Sequence, residues 1–119
     1  VDAGHAINPA AVEGQVHGGT VQALGWALWE NVARPGGAIP APSLSTTIIP
    51  TAPDVPEVEA VIVEVPYAGG PCGAKGVGEL PMDGPAAAAA NAVEDALGVA
   101  ADDLPLLPEV IHRLRGGTR

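Results

Sequence analysis

The chain has 119 residues, 47% of them hydrophobic, which suits one domain or part of one. Its 14 acidic and 5 basic residues give a net charge of −9. That balance argues against a nucleic-acid partner, which needs clustered Lys and Arg; the only basic cluster, Arg113, Arg115 and Arg119, lies at the C-terminal tail. A single cysteine, Cys72, excludes an internal disulfide framework and suits a reducing, cytoplasmic location. No apolar run reaches the ~18 residues that suggest a membrane span. With no Phe, one Tyr and two Trp, packing falls to Ala, Val and Leu, and such a core is expected to be completed by other protein.

Asn8-Pro9 signals a helix start, because Asn8 can cap and Pro9 suits a first helical position that needs no backbone donor. The spacing predicts a helix from about Pro9 to about Val32, with Val16, Thr20, Ala23, Leu24, Ala27 and Leu28 on its apolar stripe. Gly14, Gly18, Gly19 and Gly25 each cost ~1 kcal/mol relative to Ala inside a helix. They point to close packing against another backbone or a ligand, or to tolerance by tertiary burial. Arg34-Pro35-Gly36-Gly37 ends the helix. Ala38 to Pro56 reads as an extended connection, with Thr46, Thr47, Ile48 and Ile49 a short candidate strand.

Val58 to Val65 alternates and is rich in β-branched residues, so it is predicted to be the best strand, with one face well covered. Asp83 or Gly84 caps a second helix that Pro85 begins, Ala86 to Leu97 fill and Gly98 stops. A short helix follows from about Pro108 to Leu114, closed by Gly116-Gly117, with 116–119 expected to be a flexible tail. The order gives an α+β (mixed α/β) layer with too few strands for an independent sheet. Together with a first residue, Val1, that already lies in motif-like sequence, this reads as a piece of a larger polypeptide.

The stretch Gly73-Ala74-Lys75-Gly76-Val77-Gly78-Glu79 places one carboxylate at the end of a glycine-punctuated loop that feeds the second helix. Such a loop can approach a bulky ligand, and a positioned carboxylate is what a general base needs; the alternative is a surface turn with a solvated Glu. Other arrangements fail on their own terms. Ala74-Lys75-Gly76 is not the Gly-Lys-Ser/Thr of a phosphate loop, and Gly76-Val77-Gly78 lacks the third glycine of a dinucleotide fingerprint. His17-Gly18-Gly19 has no accompanying nucleophile elbow. His5, His17 and His112 share no metal-ligand spacing, so no direct metal ligand is expected from this chain. Cys72 reads as a bystander more readily than as a reactive thiol.

Several segments together resemble a known family. They are Asp2-Ala3-Gly4, Ile7-Asn8-Pro9, Val12-Glu13-Gly14-Gln15-Val16-His17-Gly18-Gly19, Gln22-Ala23-Leu24-Gly25-Trp26-Ala27-Leu28 and the loop to Glu79. Their order and spacing resemble the C-terminal part of the molybdenum-binding large subunit of the xanthine dehydrogenase and aldehyde oxidase family. The similarity covers nearly the whole chain, to about Arg113, and implies that 1–115 form the C-terminal portion of a molybdopterin-binding domain, the second of that subunit. It implies an oxidoreductase that hydroxylates an aldehyde or N-heterocycle with water-derived oxygen. Glu79 would be the general base beside molybdenum, Gln15 would hydrogen-bond an oxygen ligand of the metal, and Lys75, Gly76 and Gly78 would shape the loop around the cofactor. Lys75 and the start of the second helix would favour the ionised Glu79. The implied cofactor is molybdenum–molybdopterin, in the cytosine dinucleotide form for a bacterial source. Iron–sulfur clusters and FAD would sit on other domains or subunits. The alternative is a non-catalytic packing or assembly module derived from the same family.

Overall fold

The computed structural model describes residues 1–31, 35–37, 43, 45 and 47–116. Helix α1 (Pro9–Leu28) starts as its sequence dictates. Asn8 is extended, its side-chain oxygen accepts from the Ala11 amide at 3.1 Å, and Pro9 occupies the first turn.

The end of α1 differs from expectation. It stops at Leu28, where Trp29 turns out of helical conformation (φ −130°) and the amides of Trp29 and Glu30 both donate to the Gly25 carbonyl. The Ala27 carbonyl, which would otherwise be an orphan of the last turn, accepts from the Leu106 amide at 2.6 Å. A segment far along the chain therefore caps this helix. Val32, where the helix was predicted to end, lies outside the described residues.

Helix α2 (Pro85–Leu97) is preceded by Gly84, not Asp83, in the cap position, and closed by Gly98 in the left-handed region, whose amide donates to Glu94. Helix α3 (Pro108–Leu114) is capped by Arg115, and Gly116 follows at φ +87°. Of the predicted tail, 117–119 lie outside the described residues.

The buried stripe of α1 is Val12, Val16, Gly19, Ala23 and Ala27, at three- to four-residue spacing. Thr20, Leu24 and Leu28, expected on the same face, are only half-buried. The stripe packs on α2 and on a short 3-10 turn, Leu80–Met82. Ala101 and Leu106 complete the core, and Leu106 is its largest fully buried side chain. A core of this make-up follows from a composition without Phe.

The predicted strand Val58–Val65 does not form a ladder. It is an extended stretch with one bridge, Val63 to Asp2, in parallel sense. The Ala3 amide donates to Val63 O at 2.9 Å and the Val63 amide to Val1 O at 2.7 Å. On its other side the N-terminal stretch runs antiparallel to the glycine loop through a Gly4–Ala74 bridge. The His5 amide donates to Gly73 O and the Lys75 amide to Ala3 O, each at 2.9 Å. The alternation in 58–65 is real: Val58, Ala60 and Ile62 are half-buried, while Val61, Val63 and Val65 face outward. The backbone bonds of 58–65 to the N-terminal stretch involve only Val1 and Ala3, on either side of the Asp2–Val63 bridge. Of the candidate strand 46–49, Thr46 lies outside the described residues, and Thr47, Ile48 and Ile49 are not in a strand. The architecture is mostly helical with a few extended pairings. Among the described residues no helix is long and apolar enough to cross a membrane.

Candidate active site

The loop is anchored at its start. Gly73 (φ +80°) turns the chain so that its carbonyl accepts from both His5 and Tyr67 amides, at 2.9 and 3.0 Å. Lys75 is held twice, through its backbone amide on Ala3 and through its ammonium, which donates to Asp2 Oδ2 at 2.5 Å. The other oxygen of Asp2 accepts from the amides of Gly4 (2.9 Å) and Val65 (3.2 Å). These donors, the Lys75 ammonium first, hold the Asp2 carboxyl at about 2, below its ordinary 3.8.

This geometry corrects the expectation that Lys75 supports an ionised Glu79, since its charge is committed to Asp2. It also corrects the role given to the second helix. Glu79 precedes the Leu80–Met82 turn, whose Met82 amide donates to Glu79 O at 2.9 Å, and α2 begins only at Pro85. A helix dipole acts within its first turn and does not reach across that spacer.

Pro81 is buried and seats on α1 at Gly19. Gln15 lies one helical turn before Gly19, on the same face of α1. The turn that immediately follows Glu79 is thus docked on α1 at Gly19, one helical turn beyond the exposed Gln15. Both side chains are exposed, and neither is hydrogen-bonded among the described residues. The glycines sort accordingly. A β-carbon at Gly19 or Gly25 would meet protein, whereas one at Gly14, Gly18, Gly76 or Gly78 would meet nothing within 4 Å. Open space therefore flanks both Gln15 and Glu79.

Among the described residues no group of three or more His, Cys, Asp and Glu could hold a metal ion. A free amide, a free carboxylate and side-chain-free backbone fit a metal that brings its own bulky organic ligand. They do not fit a bare ion needing a protein cage. Cys72 is exposed, in the left-handed region (φ +53°), within the Pro71–Gly73 turn. Asp2 is the residue that sequence reasoning missed as part of the site. The Asp2-x-Gly4 spacing suits a local side-chain turn, but nothing local announces a partner at Lys75.

Residues 1–56 match the family model of the molybdopterin cofactor-binding domain. Over 113 residues the chain is 42% identical to the xanthine dehydrogenase molybdenum-binding subunit of Escherichia coli O157:H7, covering 93% of this chain and 15% of that protein. It is 37% identical to the aldehyde oxidoreductase of Megalodesulfovibrio gigas, over 92% of this chain and 12% of that protein. Among solved structures, quinoline 2-oxidoreductase from Pseudomonas putida 86 superposes with a TM-score of 0.87 at 38% identity, over 97% of this chain and 15% of that one. Sequence and fold thus place the chain among segments of molybdopterin-binding proteins. The chain belongs to the family of xanthine dehydrogenase and aldehyde oxidase molybdenum-binding subunits. It spans about 15% of the length of the curated relatives it matches first.

Proposed function

We propose that this chain supplies the general base and one cofactor-orienting amide of a molybdenum hydroxylase. That enzyme would oxidise an aldehyde or N-heterocycle with oxygen derived from water. The observation that carries the reading is the docking of α1, at Gly19 one turn beyond Gln15, onto Pro81 in the turn after Glu79. It supports a reading in which two polar groups far apart in sequence act at one place.

The molybdenum–molybdopterin group, expected as the cytosine dinucleotide in a bacterial protein, supplies Lewis acidity and two-electron redox capacity when bound. Glu79 would take the proton from the water-derived oxygen as that oxygen bonds an electron-poor carbon; the C–H bond broken at that carbon gives up its hydrogen and two electrons, for which the bound group would supply the redox capacity. Gln15 donates its side-chain N–H to the cofactor without adding charge. Gly76 and Gly78 keep side chains out of the space beside the base, and Lys75 braces the loop through Asp2.

The rest of the molybdenum-binding subunit covers the apolar groups this chain leaves outside, among them Trp26, Val61 and Tyr67, which are 56%, 62% and 56% exposed. The radius of gyration, 17.6 Å against roughly 13–14 Å for a compact domain of this length, agrees with such a role. Iron–sulfur and FAD modules on other domains or subunits would carry electrons away, in the cytoplasm.

The test is Glu79→Gln in the complete enzyme. Turnover is expected to fall by about 10²–10⁴-fold, the range of a lost general base, with molybdenum content unchanged. Normal turnover would remove the base assignment. It would leave the chain as a non-catalytic packing module.

A further inference from the structure

We propose that Asp2 is a positioning residue for Glu79, pinning the loop that carries the base through its contact with Lys75. The inference rests on the assignment of Glu79 made above.

Between Lys75 and Glu79 no hydrogen bond ties residues 76–78 among the described residues, and Val77 is the one half-buried side chain of the three. Gly76 and Gly78 lack side chains, and a β-carbon at either would meet nothing within 4 Å. Downstream the loop is fixed by Pro81 on Gly19. Upstream the holding point is Lys75, gripped by Asp2 at its ammonium and by Ala3 O at its amide. A residue held at both backbone and side chain is fixed in position and also in the direction the chain takes when it leaves. Asp2 is suited to anchor that grip because it is itself tied down. Its Oδ1 accepts from Gly4 on the N-terminal stretch and from Val65 on the extended segment. One carboxylate thus joins three parts of the chain with charge-assisted bonds. A half-exposed ion pair contributes little to global stability, so the consequence is placement of the loop more than resistance to unfolding. The depressed pKa of Asp2 keeps it ionised across any working pH, which suits a fixed strut and rules it out as a proton acceptor near neutrality.

The experiment compares Asp2→Asn, Lys75→Met, the double variant and Lys75→Arg in the complete metal-loaded enzyme. It reads kcat, KM, molybdenum content, melting temperature and amide hydrogen exchange across 73–79. Asp2→Asn is expected to lower kcat by about 10- to 100-fold, the scale of a displaced catalytic group. KM, molybdenum content and melting temperature should be retained, with exchange in the loop rising about tenfold. The double variant should be no worse than either single one, and Lys75→Arg should recover most of the rate. Unchanged loop exchange and kcat in Asp2→Asn would overturn the proposal. So would losses that multiply in the double variant, or a fall in kcat that only tracks lost metal. If Asp2→Asn does not accumulate as folded protein, the Lys75→Met and Lys75→Arg pair decides by the same readouts. Loop exchange does not depend on what Glu79 does. A normal rate in Glu79→Gln would therefore sink the base assignment while leaving the pin measurable on its own.

Discussion

Gly19 of α1 and Pro81 of the turn after Glu79 meet with no side chain between them. A β-carbon on Gly19 would sit 2.9 Å from Pro81 Cβ and 3.3 Å from the Met82 amide nitrogen. This contact sets the distance between the helix that carries Gln15 and the loop that carries Glu79.

Gly19→Ala tests that contact. Alanine gains about 1 kcal/mol of helix propensity over glycine, while overpacking a fitted contact costs about 1–3 kcal/mol. A proline ring and a backbone amide cannot swing aside, so the clash should win. The expected result is a net loss of about 1 kcal/mol by thermal unfolding and a lower kcat in the complete enzyme. A higher melting temperature with unchanged kcat would show that the turn yields freely.

Two glycines with the same backbone angle separate conformation from crowding. Gly4 and Gly98 both have φ +68°, but a β-carbon at Gly4 would collide with the Gly73 carbonyl and lie 2.9 Å from Lys75 N, whereas one at Gly98 meets nothing within 4 Å. Gly98→Ala should therefore cost about 1–2 kcal/mol, the left-handed penalty alone. Gly4→Ala should cost more, by about 1–3 kcal/mol of overpacking. Equal losses in denaturant unfolding would mean that the N-terminal stretch moves away from the loop at no cost.

The Asp2 carboxyl should titrate near 2, well below its ordinary 3.8, because the Lys75 ammonium and the Gly4 and Val65 amides favour its charged form. In this interval the unfolded chain binds more protons than the folded one, so stability from this group is fully present above about pH 4 and is lost as pH falls through 2. Carboxyl NMR titration checks the value. In Lys75→Met the midpoint should rise toward 3.8, and a midpoint unmoved by that change would mean that the ammonium is not the main cause.

Gln15→Ala in the complete enzyme removes one neutral hydrogen bond to the cofactor, a loss of about 1 kcal/mol. Turnover should fall by about tenfold or less, a milder effect than that of Glu79→Gln, with molybdenum content retained. A drop in metal content instead would give Gln15 a structural part in cofactor retention.

Helix starts were legible in this chain because their causes are local. Asn8-Pro9 opens α1, Pro85 opens α2 and Gly98 closes it through residues adjacent in sequence. The end of α1 was not legible, since its Ala27 carbonyl is capped by Leu106 from a distant segment. Val58–Val65 has the alternation of a strand, yet strand formation also requires a partner, and residues 1–5 give it one bridge only. The glycine pattern of α1 was half-readable: Gly19 and Gly25 abut protein, while Gly14 and Gly18 face open space. At the site, Gln15 and Glu79 stand out through motifs. The engagement of Lys75 by Asp2 does not, because the pair is 73 positions apart and neither residue's neighbours encode the other.

The most direct measurement is the structure of the complete subunit with its molybdenum–molybdopterin group bound. The amide of Gln15 and the carboxylate of Glu79 should then converge on that one group, with Gln15 within hydrogen-bond distance, about 3 Å, of one of its oxygens. If the two side chains face separate surfaces with the cofactor beside neither, the catalytic assignment of this chain is contradicted.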